Sequence, residues 1–149
     1  MNKEKFLNNH GFFLEDLIAG QEAILEKKIT EKDILRFSEL TGDNNPVHLD
    51  DDFAKFTIFK KKIAHGFLSG SLISTVIATK LPGPGSIYLS QTLKFLAPVF
   101  VDDTITAKVI IEEINMEKRK IKLLTECFVA DKKILTGNAE ILVSSKSNI

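Results

Sequence analysis

The chain has 149 residues, 44% hydrophobic and 27% charged, the size and balance of one globular unit with a single core. Its 20 basic residues offset 20 acidic ones, so there is no basic field of the kind that nucleic-acid binding uses. The single cysteine, Cys127, excludes an intrachain disulfide, and no apolar run reaches the length of a signal peptide core or a membrane span. A single unit over residues 1–149 is expected, soluble and cytoplasmic, or organellar after processing.

Residues 1–20 read as an N-terminal arm, poorly specified or a short helix, and Gln21 to Lys28 as a first strand. Thr30 to Leu40 predicts a helix. Thr30 suits the N-cap, Asp33 stands at the capping-box position, and Ile34, Phe37 and Leu40 follow at helical spacing. Gly42 takes a left-handed conformation cheaply and stops the helix. Asp43-Asn44-Asn45-Pro46 then turns the chain, with Asn45 pushed to an extended conformation by the proline after it. Asp43 and His48 therefore share a loop that folds back, not a helix face. Asp50 to Phe56 predicts a short helix capped by Asp50.

His65 to Lys80 predicts a second long helix, apolar nearly all round through Phe67, Leu68, Leu72, Ile73, Val76 and Ile77, and hence buried. Its small residues Gly66, Gly70, Ser74 and Ala78 recur every four positions as one stripe. After the break at Pro82-Gly83-Pro84-Gly85 the chain alternates. Ile87, Leu89, Leu93 and Phe95 share a face, with the polar Gln91 among them. Thr104 to Ile114, Arg119 to Val129 and Ile134 to Val143 predict long strands, joined by a hairpin at Asn115 to Lys118 and a turn at Asp131-Lys132-Lys133. Short connections imply an antiparallel sheet. A helix apolar on all sides needs wrapping, and a curved sheet supplies it, giving an α+β class.

Three groups of residues carry chemistry. Asp43 and His48, a carboxylate and an imidazole, can hold a water between them and exchange protons with it. The Asn45 amide is placed to orient that carboxylate or a substrate group. The structural alternative is a turn whose polar residues cap backbone groups. His65-Gly66 opens the apolar helix, where unpaired N–H groups stabilise a carbonyl oxygen gaining charge, and Gly66 allows close approach. The alternative is an ordinary helix start. The Ser74 hydroxyl either bonds its own helix carbonyl or lines a pocket, and the small-residue stripe also suits close helix–sheet packing. His10 and Asp50-Asp51-Asp52 carry no assignable chemistry, and no metal-ligand spacing, phosphate loop or nucleophile elbow is present.

In this order the residues resemble the MaoC-like (R)-specific enoyl-CoA hydratases, over about Ile29 to Val143. Asp43, Asn45, Pro46 and His48 match that family's Asp-x-Asn-Pro-x-His signature. Ile63-Ala64-His65-Gly66-Phe67-Leu68 match its His-Gly helix, and Ser74 the serine of that helix in short-chain members. The resemblance implies a hot-dog fold, a curved antiparallel sheet wrapped around a long central helix, and a homodimer joined edge to edge. It implies reversible syn addition of water across a trans-2-enoyl thioester of coenzyme A or an acyl-carrier protein, giving the (R)-3-hydroxyacyl product. Asp43 and His48 are then catalytic, one activating water and the other protonating the α-carbon, in an order left open. Asn45 orients them, the Gly66 N–H stabilises the thioester oxygen, and His65 and Ser74 bind substrate. No metal or redox cofactor, nucleic acid or membrane is implied. Lys60-Lys61-Lys62 is either a solvated run or an attraction for the carrier's phosphates. Two other functions stay open: a hot-dog thioesterase, and a non-catalytic acyl-CoA binding module.

Overall fold

The computed structural model describes residues 2–149. Chain order is α1 (Lys3–Asn9), a 3-10 turn (Leu14–Asp16), β1 (Glu22–Lys28), α2 (Glu31–Thr41), α3 (Pro46–Leu49), α4 (Asp51–Lys55) and α5 (Gly66–Thr79). The strands β2 (Ile87–Gln91), β3 (Lys94–Phe95), β4 (Thr104–Asn115), β5 (Lys120–Val129) and β6 (Lys132–Leu142) follow. All pairings are antiparallel, in the order β1-β4-β5-β6-β2, with β3 also on β6.

Local chemistry sets the ends of α2 as expected. The Thr30 hydroxyl accepts from the Asp33 N–H and the Asp33 carboxylate accepts from the Thr30 N–H, a complete capping box. Gly42 closes the helix with φ +79°, where a residue with a Cβ is strained. The Asp50 carboxylate caps α4 by accepting from Asp52 and Phe53. The turn before it holds a helical element absent from the expectation. Pro46 at the first position and the Asn45 side chain as cap wind Pro46 to Leu49 into a single helical turn that carries His48.

The sheet packs its inner face on α5. Ile105, Ala107, Val109 and Ile111 of β4, Ile121, Leu123, Thr125 and Cys127 of β5, and Leu135, Ala139 and Ile141 of β6 are buried, every second residue as a pleated strand requires. Leu72, Ile73, Val76 and Ile77 meet them from α5, and Leu14 and Leu17 of the N-terminal arm join the same cluster. α5 itself differs from the expectation of a helix buried all round. Phe67, Ser71, Ser74, Thr75 and Ala78 form a face open to solvent, because one sheet covers one side only. β2 differs too: Ile87, Tyr88 and Leu89 are all exposed, since β2 is an edge strand with no neighbour beyond it.

Ile73 is fully buried at the centre of this packing. Ile73→Ala should lower unfolding free energy by about 2–5 kcal/mol, read by urea denaturation, because the sheet cannot collapse onto the cavity. A loss well under 1 kcal/mol would mean that α5 is not clamped by the sheet.

Candidate active site

Two strand-like connections and three helix ends bring the site together. The segment before α5 is tied down twice: the Ala64 N–H donates to Val99 O at 2.7 Å, and Ile63 bridges Phe100. Ile63 then holds α3 with both its backbone groups. Its N–H donates to Val47 O at 3.3 Å, and its carbonyl accepts from His48 Nδ1 at 2.8 Å. A carbonyl only accepts, so Nδ1 carries the proton. In the neutral ring the Nε2 lone pair is then free to accept one. Burial pushes the His48 pKa down, with the Ile63 bond opposing it, the His65 ring adding to the depression and the Asp43 carboxylate opposing.

Asp43 follows the Gly42 stop. Its Oδ1 accepts from the Asn45 N–H at 3.3 Å, its own N–H donates to Thr41 Oγ1 at 3.2 Å, and Oδ2 has no partner among the described residues. The Asn45 backbone amide thus orients the carboxylate, while its side chain is engaged as the α3 cap, accepting from Val47. One side-chain ligand atom from each of Asp43, His48 and His65 lies within 4.8 Å of the other two. A water making two hydrogen bonds of about 2.8 Å bridges groups roughly 4.6 Å apart, the range in which a carboxylate and an imidazole can share one.

His65 sits otherwise than a substrate-binding residue would. It is 2% exposed, with its ring centroid 3.9 Å from that of His48, tilted by 30°, and 4.8 Å from that of Phe37. Nε2 donates to the Asp43 carbonyl at 3.0 Å, and Nδ1 is buried with no partner. The ring lies behind the pair and braces the loop. It is also spent as a metal ligand: one nitrogen is bound as a donor and the other is sealed. That leaves two donors, fewer than the three protein ligands that hold a catalytic zinc.

Gly66 opens α5 beside the pair. The N–H groups of Gly66 and Phe67 donate to no protein acceptor among the described residues, as expected for a first helical turn. A Cβ on Gly66 would lie 2.7 Å from the Phe95 ring, so glycine keeps that ring and the amide in close approach. A cleft of about 410 Å³ starts there, lined by Phe59, Ile63, Gly66, Phe67, Phe95 and Ile134. A second, of about 580 Å³, runs between Phe37, Gly70, Ser71, Gln91 and Leu93 on the other side of Phe67 and Phe95.

Ser74 lines neither cleft. It is exposed on the open face of α5, and unlike Ser71, Thr75 and Thr79, whose hydroxyls donate to helix carbonyls, it makes no such bond. The lysine run is divided. Lys62 bridges Glu31 and Asp51, which hold its pKa up, and Lys61 stands 4.5 Å over the Phe100 ring. Sequence reasoning missed Ile63, whose backbone oxygen sets the His48 tautomer and leaves no side-chain signal. It also passed over Ser38, a buried hydroxyl that donates to the Asp43 carbonyl at 2.7 Å. A serine four residues after Ile34, on the buried stripe of α2, was the available sign.

A family model described as the MaoC like domain matches residues 18–133. An (R)-specific enoyl-CoA hydratase of Rhodospirillum rubrum is 46% identical over 90% of this chain and 93% of its own length. A 3-hydroxybutyryl-CoA dehydratase of Methylorubrum extorquens is 45% identical over 90% of this chain and 85% of its own. Among solved structures, an (R)-hydratase from Aeromonas caviae involved in PHA biosynthesis superposes with a TM-score of 0.84 at 39% identity. That match covers 87% of this chain and 98% of the other. An R-hydratase from Pseudomonas aeruginosa in its unliganded form gives 0.86 at 42%, over 92% and 88%. With the capping turn, the Asp43–His48 pair and the Gly66 helix start in one place, the chain belongs to the MaoC-like family and has its hot-dog fold.

Proposed function

We propose that this chain is an (R)-specific enoyl-CoA hydratase, catalysing reversible syn hydration of a trans-2-enoyl thioester to the (R)-3-hydroxyacyl thioester. The observation that carries the reading is the convergence of Asp43 and His48 beside the unpartnered Gly66 amide. The enoyl thioester places its carbonyl oxygen on that amide. The β-carbon then faces the water held by the pair.

His48 Nε2 accepts one proton of the water as its oxygen bonds to the β-carbon. The electrons of the double bond move to the thioester oxygen, where the Gly66 N–H and the partial positive charge of the α5 start stabilise them. The Asp43–His48 pair, now one proton richer, returns that proton to the α-carbon. Hydroxide and proton come from one side, so the addition is syn. Every proton is supplied by the water, and the step as written needs no metal or redox group. The clefts on either side of Phe67 and Phe95 give apolar room for the acyl chain and for the arm of the carrier. Both coenzyme A and an acyl-carrier protein suit this arm, and a 3-hydroxyacyl-[acyl-carrier-protein] dehydratase of Solanum lycopersicum is 37% identical over 80% of this chain.

The whole chain, arm included, is read as one hot-dog unit working as a homodimer in the cytoplasm. The exposed edge strand β2 and the open face of α5 support the dimer. A second copy pairing at β2 removes an open edge and covers apolar residues. On that reading Ser74, open in one chain, becomes part of an enclosed acyl pocket.

Incubation with crotonyl-CoA should consume the enoyl absorbance. Asp43→Asn and His48→Ala should each lower kcat by about 10²- to 10⁴-fold while keeping the fold. Wild-type rates in either variant would remove the pair from the mechanism, and release of free thiol from a saturated acyl-CoA would replace hydration by thioester hydrolysis.

The depressed pKa of His48 fixes the sign of the pH dependence. Hydration needs its neutral form, and burial keeps it neutral below the ordinary imidazole value of about 6.5. The kcat/KM for hydration should therefore hold constant from neutral pH down past about 6.5 and fall only on the acid side. His48→Ala should lose that limb. A wild-type limb centred above the ordinary value would contradict the assignment of His48 as base.

A further inference from the structure

The Asp43 carbonyl oxygen receives two donors from different elements. Ser38 Oγ, on α2, donates to it at 2.7 Å, and His65 Nε2, capping α5, donates to it at 3.0 Å. Both side chains are buried, at 5% and 2% exposure. A carbonyl oxygen has two lone pairs, so the two bonds saturate it. The peptide plane after Asp43 is then held from both sides. The Asp43 α-carbon is bonded to that carbonyl, so the two bonds hold the point from which the side chain leaves.

No other polar contact explains why the two groups are buried here. Ser38 makes no bond to its own helix carbonyls, unlike Thr41, whose hydroxyl donates to Phe37 O. The His65 ring has one bonded nitrogen and one buried without a partner, so its single hydrogen bond is this one. The rest of its fit is ring contact, with His48 on one side and Phe37 on the other. The loop they brace is otherwise exposed: residues 42–46 are open to solvent and lie outside the sheet. The remaining bonds of Asp43 are long and local, to Thr41 and Asn45 at 3.2 and 3.3 Å.

We infer that Ser38 and His65 are positioning residues that clamp the Asp43 carbonyl, so that the carboxylate stays within reach of the water shared with His48. Neither touches the reacting atoms. The inference rests on the reading of Asp43 as a catalytic residue. It goes beyond that reading by assigning Ser38 a task and by moving His65 from the substrate to the loop.

The test measures kcat and KM with crotonyl-CoA for Ser38→Ala, His65→Ala, His65→Gln and Asp43→Asn, with urea midpoints to confirm folding. A shift of about 1 Å in a catalytic group costs up to roughly 100-fold in rate, so Ser38→Ala, which keeps one of two braces, should lower kcat about tenfold. KM should stay within about twofold, since no substrate contact is lost. Glutamine carries an N–H donor near the place of Nε2, so His65→Gln should recover most of the rate that His65→Ala loses. In an Asp43→Asn background, Ser38→Ala should cause no further loss. If Asp43→Asn is inactive while Ser38→Ala keeps the wild-type kcat, the clamp is refuted and the acid–base pair stands. A rise in KM at constant kcat, no recovery by glutamine, or the same tenfold loss in the Asp43→Asn background likewise overturns it. Full activity of Asp43→Asn itself overturns the reading beneath it.

Discussion

His48 gives its Nδ1 proton to the Ile63 carbonyl at 2.8 Å, and the rest of the site is arranged around that bond. It joins a one-turn helix, which has no stability of its own, to a segment already fastened to the strand-like stretch at Val99 and Phe100. It fixes the tautomer, leaving the Nε2 lone pair free. It also commits Ile63-Ala64 to an extended path, so that His65 caps α5 and the free amides of the first turn open next to the imidazole. The His48 ring and the first-turn amides of α5 are thus set by the backbone of Ile63, Ala64 and His65. A side-chain anchor in their place would bring rotamer freedom that the chemistry does not tolerate.

Burial then tunes what the geometry places. The His48 ring lies 3.9 Å from His65, itself 4.8 Å from Phe37, and loss of water there disfavours a charged His48, which keeps its lone pair available. Asp43, on an exposed loop, remains open to water on one oxygen. A half-buried imidazole near an open carboxylate is the asymmetry that the proposed water-activating pair would use, one member taking the proton and the other holding the water. On the proposed mechanism the Gly66 amide, where the mainly apolar cleft starts, is the donor for the thioester oxygen.

Much of this was legible in the sequence because it is local. Thr30, Asp33, Gly42 and Asp50 do what their side chains do in any chain, and the three long strands alternate over most of their length because one face is core. Asp43, His48 and Gly66 were legible through spacing and a family signature. The departures come from what a single sequence cannot carry. α5 is apolar on every side, yet one chain covers only one of its faces, so Ser74 stands in the open and periodicity alone misjudged the burial. The resemblance implies that His65 binds substrate, but a ring's direction depends on which carbonyl lies in reach, and here that carbonyl belongs to Asp43, 22 residues earlier. Lys62 left the basic run for the same kind of reason, since Glu31 and Asp51 meet it only in the folded chain.

The central claim is that one water, held on one face of the substrate by Asp43 and His48, supplies both the hydroxyl and the proton. Hydration of crotonyl-CoA in deuterium oxide, with the product resolved by chiral chromatography and proton NMR, tests this most directly. The account predicts (R)-3-hydroxybutyryl-CoA with one deuterium at the α-carbon, on the face that received the hydroxyl. An (S) product, or deuterium on the opposite face, would contradict it.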